Sequence, residues 1–295
     1  MAKTREIKKR IKAVGNIRRI TKTMQMIATS KFAKAQQRAL ATKPYTEGVF
    51  GLVTELAATA GNVEHPLIAV PKAKTGAKEL TLVITSDRGL CGPYNGSVLR
   101  TAMGHLRSSP AASGGEIELI GKKGASFLRF NRVEVSRTYS IGDKPSFEDV
   151  ERIAEAYMAR FIAGDITAVR VVYMRYISAG RQTPEVLQLL PLKPPAKKAD
   201  APAAPGGGFT AQYEFSPEAG ELLDALLPAT VKATLFQAIN DSVVSEQVAR
   251  MVAMKSATDN AGKMRRTLTR DYNRARQAQI TTELTEIVSG AAALA

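Results

Sequence analysis

Apolar residues recur every three or four positions at both ends of this chain, and that spacing predicts a long amphipathic helix at each end. Neither residues 2–42 nor residues 229–290 contain a proline, so nothing interrupts the two patterns. The N-terminal series is Ile7, Ile11, Val14, Ile17, Ile20, Met24 and Ile27. The C-terminal series is Val231, Leu235, Ile239 and Val243, then the small residues Ala249, Ala253 and Ala257, then Met264, Leu268, Tyr272 and Ala275.

Each of the two predicted helices needs a partner for its apolar stripe, and each is the simplest partner for the other. We therefore predict a long antiparallel coiled coil of the N- and C-terminal helices, in which the alanines allow a close approach. At about 1.5 Å per residue the C-terminal helix would be roughly 90 Å long. It exceeds the N-terminal helix by about twenty residues, so its last turns should extend alone or be held by another protein. The core of an ordinary helical bundle is the alternative interpretation of both stripes.

Strand patterns alternate with helix patterns in the middle of the chain. Lys43 and Pro44 mark the expected end of the first helix, and a short helix is predicted at 48–60. The predicted strands are 80–85, 116–120, 133–138, 166–177 and 186–190, and the predicted helices are 94–107, 123–130 and 146–163. Ser146, with Asp149 three residues later, should cap the last of these helices. This alternation predicts an α/β fold with a mostly parallel sheet, a three-layer Rossmann-like domain.

These patterns divide the chain into three predicted regions. Residues 1–60 form the N-terminal coiled-coil helix, 75–215 the central α/β domain, and 217–295 the C-terminal coiled-coil helix. Within the central region, 193–208 reads KPPAKKADAPAAPGGG, a composition typical of a flexible loop. Residues 209–215 are expected to return as an edge strand. Ser216 and Pro217 should begin a short helix, and Pro228 should precede the long one.

Positive charge is concentrated in the first predicted helix. The chain carries a net charge of +15, and residues 1–40 alone hold twelve Lys or Arg against one acid, Glu6. Such a surface could bind nucleic acid, an anionic membrane or an acidic protein surface. The single cysteine, Cys91, excludes an internal disulfide and favours a reducing compartment. No run of 18 apolar residues and no secretory signal are present, so any membrane role is expected to be peripheral.

The sequence was tested for the motifs of α/β enzymes, and they are missing. No G-x-x-x-x-G-K-[ST] loop is present, and the turn SDRGLCG after the first strand has only Gly89 and Gly92 of a dinucleotide fingerprint. His65 and His105 lie forty residues apart in different elements, which makes a zinc site implausible. We therefore predict no cofactor, no metal and no catalytic residue. The SDRGLCG turn is interpreted as a structural turn with an added surface role.

Four segments, taken in order along the chain, resemble the gamma subunits of F-type ATP synthases. They are IKKRIKAVGNIRRITKTMQMIATSKF at 7–32, SDRGLCGPYN at 86–95, SEQVARMVAMKSATDNAG at 245–262 and ITTELTEIVSGAAA at 280–293. The resemblance spans the whole chain and departs from the family pattern at 193–208.

The resemblance implies a function and a set of partners. The chain would be the non-catalytic central rotor shaft of a proton-translocating F-type ATP synthase. It would couple rotation of the membrane c ring to ATP synthesis or hydrolysis in the alpha/beta hexamer, and regulate ATPase activity and proton flow. Its implied partners are three alpha and three beta subunits, the epsilon subunit and the c ring, with no nucleic acid. Its implied location is peripheral, on the cytoplasmic side of the bacterial inner membrane.

The resemblance also implies roles for individual residues at matched positions. Arg276 and Gln277 would hydrogen-bond a beta-subunit loop, with a guanidinium that suits a carboxylate partner. The adjoining residues expected at the same beta-subunit contact are Thr281, Glu283 and Glu286. Met24 and Arg250 match positions tied to coupling between rotation and catalysis. Tyr213 and Glu214 are expected to face the c ring or epsilon subunit.

Two other functional classes remain open at the level of the sequence. A basic coiled-coil nucleic-acid-binding protein would explain the charge, and it predicts retention on DNA with a steep dependence on salt. A stand-alone α/β enzyme would explain the middle of the chain, and it predicts a bound cofactor or nucleotide.

Overall fold

The computed structural model describes residues 2–60, 65–69, 78–108, 110–192 and 219–294. The chain divides into two compact units. The first combines Met1–Lys31 with Ala249–Ala295 and is called the coil unit below; the second, Phe32–Val248, is called the sheet unit. The loop predicted at 193–208, the strand predicted at 209–215, and Ser216 and Pro217 lie outside the described residues.

Six helices and five strands are found among the described residues. In chain order they are α1 (Ala2–Ala60), β1 (Lys78–Ile84), α2 (Tyr94–Ser108), α3 (Pro110–Ser113), β2 (Glu116–Ile120), α4 (Lys122–Phe130), β3 (Arg137–Tyr139), α5 (Phe147–Ile162), β4 (Ile166–Ser178), β5 (Arg181–Leu190) and α6 (Ala219–Leu294). Helices α1 and α6 each contribute to both units.

The sheet unit is built on a mixed sheet with the strand order β3-β2-β1-β4-β5. The first four strands are parallel, and β5 returns antiparallel to β4. Because parallel crossovers are right-handed, α2 and α4, which lead from β1 to β2 and from β2 to β3, lie on one face. Helix α5 leads back across β1 to β4 and therefore covers the other face. This arrangement confirms the predicted three-layer α/β fold.

The main core of the sheet unit lies on the α5 side of the sheet. Alternate residues of β1, such as Leu80 and Leu82, pack there with Phe161 of α5. The first turns of α6 enter the same core, which includes Val231 and Leu235. Val231, Leu235 and Ile239 of the C-terminal apolar series therefore belong to the core of the sheet unit, whereas Val243 packs beside Ala35 and Ala39 of α1. The sequence had assigned the whole group to the coiled-coil stripe, and a buried helical stripe looks the same whether a sheet or a helix covers it.

Two prolines lie inside helices, where the sequence had predicted breaks. Pro44 is inside α1 and Pro228 is inside α6. Each proline removes one helical hydrogen bond. The helix continues past the proline because buried apolar residues on its far side pack into the core. Val53 and Leu56 are buried after Pro44, and Leu223 and Leu227 are buried before Pro228. Tertiary packing thus outweighs the local cost, and the predicted helix at 48–60 is the continuation of α1.

The strand predicted at 133–138 is shorter than expected. Arg132 has a φ of 57°, and the amide of Val133 donates to the carbonyl of Leu128, so these residues end α4. Only Arg137–Tyr139 pairs with β2. In contrast, Ser146 caps α5 as predicted, since its hydroxyl accepts from the amide of Asp149 at 3.2 Å.

Helix α6 contains an 18-residue window with a mean hydropathy of 1.3, and 44% of that window is buried. Its length and composition are compatible with a membrane span. One helix of this kind is weak evidence for a span, because the core helix of a soluble protein passes the same test.

Candidate partner-binding site

In the coil unit α1 and α6 run antiparallel. The hydroxyl of Thr4 lies 3.1 Å from the side-chain oxygen of Gln279, and the hydroxyls of Thr21 and Thr258 lie 2.8 Å apart. As residue numbers rise along α1, their partners on α6 fall, which confirms the predicted antiparallel coiled coil.

The seam of the coil unit departs from the predicted N-terminal stripe after Val14. Ile7 and Ile11 are half-buried and Val14 is buried, but Ile17, Ile20 and Ile27 are 52%, 58% and 51% exposed. A coiled-coil seam advances 3.5 residues per turn on average, whereas the steps from Val14 to Ile17 and from Ile17 to Ile20 are three residues each. Two short steps in succession rotate the stripe away from the partner helix.

Polar residues occupy the seam where the apolar stripe leaves it. Thr21 and Gln25 of α1 are half-buried, and Thr258 of α6 is buried. A Cβ added to Gly262 would lie 3.6 Å from Nε of Arg18, an ordinary contact distance, so the guanidinium of Arg18 lies beside this glycine of α6. The sequence analysis missed this polar segment, although its positions follow the heptad spacing that begins at Ile7.

The displaced apolar residues form a surface of their own, and we call Ile17, Ile20 and Ile27 the outer stripe. They recur on one side of α1, and Val252 and Met264 of α6 are also more than half exposed. Apolar side chains repeated at helical spacing and left uncovered mark a surface that another protein contacts.

A positively charged groove lies beside the polar part of the seam. Its volume is about 490 Å³, and we call it the basic groove. Its cationic lining residues are Arg18, Arg19, Lys22, Lys255 and Arg265. Asp259 is the acidic residue that lines it. This excess of positive charge attracts an acidic surface.

All five predicted beta-subunit contact residues lie on exposed turns of α6. The exposed residues are Arg276, Gln277, Thr281, Glu283 and Glu286. Their local hydrogen bonds run along the helix: Gln279 donates to Glu283 at 2.8 Å, and Thr281 donates to the carbonyl of Gln277 at 3.0 Å. The guanidinium of Arg276 and the carboxylates of Glu283 and Glu286 are therefore presented to solvent on successive turns.

The final turns of α6 have no buried residue among those whose side chains are described. Thr4 lies beside Gln279, so α1 offers few residues to cover α6 beyond that point. Every residue from Ile280 to Ala292 is exposed, and Ile287 is 68% exposed. We call 280–292 the terminal segment. The sequence predicted that these turns extend past α1, and the exposed apolar residues Leu284 and Val288 add a stripe that a partner can cover.

The two predicted coupling residues occupy the coil unit at different depths. Met24 is half-buried, whereas Arg250 is only 8% exposed. The pairing of Thr21 with Thr258 places Arg250, eight residues before Thr258, opposite the region of Thr29. Arg250 therefore lies about one and a half helical turns from Met24 along the coil.

The SDRGLCG turn lies in the sheet unit, directly after β1. Asp87 accepts from the amide of Lys122 at 3.2 Å at the start of α4, and Asn95 donates to the buried sulfur of Cys91 at 3.3 Å. Leu90 has a φ of 64° and its side chain is exposed. The predicted structural turn is present, and it presents Arg88 and Leu90 to solvent.

Two of the predicted site residues cannot be located in the structure. Tyr213 and Glu214 lie outside the described residues. Within the described part of the chain, no group of three or more His, Cys, Asp or Glu side chains could hold a metal ion.

Comparison with known proteins identifies the family. A sequence model described as ATP synthase matches residues 3–294. The ATP synthase gamma chain of Rhodopirellula baltica is 42% identical over 296 residues, which cover 100% of this chain and 99% of that protein. The ATP synthase gamma chain of Methylibium petroleiphilum is also 42% identical, with 100% of both chains covered.

Solved structures show the same fold at lower identity. A chain in the rotor of the Euglena gracilis mitochondrial ATP synthase matches with a TM-score of 0.63 and 18% identity, over 95% of this chain and 99% of that one. A chain in the central stalk and c ring of the Tetrahymena thermophila enzyme matches with a TM-score of 0.55 and 22% identity, over 81% of this chain and 99% of that one. With its full-length match to the family and to bacterial relatives, this chain belongs to the ATP synthase gamma-chain family.

Proposed function

We propose that this chain is the non-catalytic central shaft of a proton-translocating F-type ATP synthase. The observation that carries the proposal is the terminal segment, 280–292, which exposes an apolar stripe that no described residue covers. A shaft end held within a ring of other subunits requires such a surface. The basic groove and the outer stripe supply further contact surfaces on the same unit.

Catalytic chemistry belongs to the partners in this proposal. The coil unit presents a basic groove on one side and apolar residues on another, so a ring of similar subunits around it meets a different surface at each position. Each contact stabilises one conformation of the subunit that makes it. Rotation exchanges these contacts among the ring subunits, and in this way it couples to ATP synthesis or hydrolysis and to proton flow.

We infer the partners from the structural relatives and the surfaces together. The similar structures come from a rotor and from a central stalk with its c ring. Three alpha and three beta subunits would surround the coil unit, and the epsilon subunit and c ring would contact the sheet unit. The chain is part of a membrane-associated complex, and its bacterial relatives support a peripheral position; we propose that it lies on the cytoplasmic side of the inner membrane.

Individual residues then receive proposed roles. The exposed side chains of Arg276 and Gln277 are proposed to hydrogen-bond a beta-subunit loop. A guanidinium can donate two parallel hydrogen bonds to one carboxylate, which suits Arg276 to this contact. Thr281, Glu283 and Glu286 extend that contact. Met24 and Arg250 transmit the position of the coil to its partners. Tyr213 and Glu214 are proposed to face the c ring or epsilon subunit.

The test is assembly with alpha and beta subunits, followed by measurement of subunit stoichiometry and ATP hydrolysis. Removal of residues 287–295 should weaken the assembly or lower its ATPase activity, because it deletes Ile287 and Val288 from the exposed stripe. The control is Glu148→Gln, which changes an exposed residue of the sheet unit outside the terminal segment, and it should assemble with alpha and beta subunits normally.

Two results would contradict the proposal. If the full chain elutes without alpha and beta subunits and is retained on DNA at physiological salt, the basic groove is a nucleic-acid surface and the proposed shaft is wrong. Unchanged assembly and activity after the truncation would contradict the role given to the terminal segment.

A further inference from the structure

A cavity in the sheet unit has no role in the proposed shaft. Its volume is about 370 Å³, within the range of small-molecule sites, and it lies between α1, the β4–β5 hairpin and α6. All of its lining residues belong to the sheet unit. The cavity is therefore distinct from the basic groove, the outer stripe and the terminal segment.

The carboxylate of Asp241 lines this cavity from α6. It accepts a hydrogen bond from the amide nitrogen of Gln237 at 2.8 Å and one from the backbone of Tyr176. Gln237 is itself held by the hydroxyl of Thr42, which donates to its oxygen at 3.0 Å. Helices α1 and α6 thus fix the orientation of the carboxylate, and burial raises its pKa to about 6.

The nearby cations do not neutralise Asp241, because each has another partner. Arg175 lies 3.4 Å from Glu185, and Lys43 lies 3.6 Å from Glu47. Both cations lower the pKa of Asp241, but the loss of water around the carboxylate has the larger effect. The four residues of these two pairs bring no net charge to the cavity, and Asp241 adds one negative charge to it.

The walls of the cavity suit a cation with a short apolar tail. Tyr173 and Tyr176 line the cavity, and aromatic rings attract an ammonium or guanidinium group. Leu187 lines the cavity with an apolar side chain. Leu40 and Ile177 also line it, and both are at least half exposed. A charged head at Asp241 would leave its alkyl chain against these residues.

We propose that this cavity binds a primary ammonium or guanidinium group carried on a short alkyl chain, with Asp241 as its counter-ion. Two sources share this chemistry: a free alkylamine, and a lysine or arginine side chain of a partner subunit. The site is independent of the proposed shaft function, so either can fail without the other.

The test is a titration of the isotope-labelled full chain with n-butylammonium, followed by NMR at pH 7.5. Saturable shifts are expected at Tyr176, Ile177 and Gln237, and n-butanol, which has the same alkyl chain without the charge, should bind at least about tenfold more weakly. Asp241→Asn keeps the shape of the side chain and should weaken n-butylammonium binding by about tenfold or more. Glu148→Gln, which removes an exposed carboxylate outside the cavity, should leave binding unchanged.

The pH dependence of n-butylammonium binding is a second test. Below about pH 6 the carboxyl group is protonated, so binding of n-butylammonium to the unaltered chain should weaken at pH 5. The proposal is overturned if Asp241→Asn binds as tightly as the unaltered chain, if n-butanol binds equally well, or if the shifts lie outside the cavity.

The assembled complex distinguishes the two sources. If n-butylammonium still binds there, the site is open to a free alkylamine. If n-butylammonium binding is lost in the complex, a partner's side chain is the occupant, and a carbodiimide should then join Asp241 to it when it is a lysine and not when it is an arginine. Either result supports the chemistry assigned to Asp241.

Discussion

The sheet unit and the coil unit differ in the size of the apolar core that each one builds. Leu82 of β1 and Phe161 of α5 are fully buried in the sheet unit, whereas Ile20 and Ile287 of the coil unit are more than half exposed. The sheet unit is stabilised by its own core. Among its described residues the coil unit has no core of that size, and the apolar surface at Ile20 and Ile287 can be buried only by another protein.

The largest expected effect is the loss of a core side chain in the sheet unit. Phe161→Ala should lower the free energy of unfolding by about 3–5 kcal/mol, because it removes a fully buried ring and leaves a cavity. Denaturant unfolding of the isolated chain measures this change. Ile287→Ala in the coil unit is the matched comparison and should change the free energy by no more than about 0.5 kcal/mol. Similar losses in both variants would contradict the contrast between the units.

The next largest effect on stability comes from the ionisation of Asp241, and it depends on pH. Its folded-state pKa of about 6 lies above the ordinary value of 3.8, so the folded state disfavours the charged carboxylate. The stability of the chain should therefore fall as pH rises from about 4 to about 6 and stay lower above that range. Asp241→Asn should raise the free energy of unfolding at pH 8 by about 1–3 kcal/mol and reduce the pH dependence. Unfolding curves at pH 4 and pH 8 measure both, and an unchanged pH dependence would show that Asp241 titrates normally.

The hydroxyl pair at the polar seam should have a smaller effect. Thr258→Val keeps the shape of the side chain but removes its bonds to the hydroxyl of Thr21 and to the carbonyl of Met254, at a cost of about 1 kcal/mol. Hydrogen exchange of amides in 18–28 and 250–262 should speed up, while exchange in β1 stays slow. A double-mutant cycle with Thr21→Val isolates the pair, and additive losses would mean that the two hydroxyls do not interact.

The outer stripe gives the smallest effect on the isolated chain. Ile20→Gln should change the free energy of unfolding by no more than about 0.5 kcal/mol, since the side chain is 58% exposed. The same substitution should weaken assembly with alpha and beta subunits, because it places an amide where we propose an apolar contact. Lys12→Gln on the same helix is a control at another exposed position. Unfolding of the isolated Ile20→Gln chain would show that Ile20 belongs to a core.

Much of the fold could be predicted from residue patterns. The buried run of β1, the cap at Ser146 and the absence of proline from residues 229–290 each act over a few residues, so local rules describe them. The prolines at 44 and 228 could not be assigned correctly in this way. Their local cost is visible in the sequence, but the distant apolar contacts that outweigh it are not.

The candidate site was predictable in outline and not in detail. The exposed positions of α6 around Arg276 followed from the matched segments, and their contacts with a beta subunit stay a prediction. The outer stripe was hidden, because Ile17 and Ile20 look like seam residues when helical spacing is counted loosely. The cavity at Asp241 was hidden as well, since its walls come from three separate parts of the chain, 36–47, 173–187 and 234–241.

Periodicity and composition alone established two long basic and amphipathic helices around an α/β middle, and the matched segments identified the family. Folding decided which apolar residues each helix buries. A stripe records only that a side chain avoids water, and it does not record whether a sheet, a partner helix or another protein covers it. The three-dimensional packing therefore assigned Val231 to the sheet, Val14 to the seam and Ile20 to the surface.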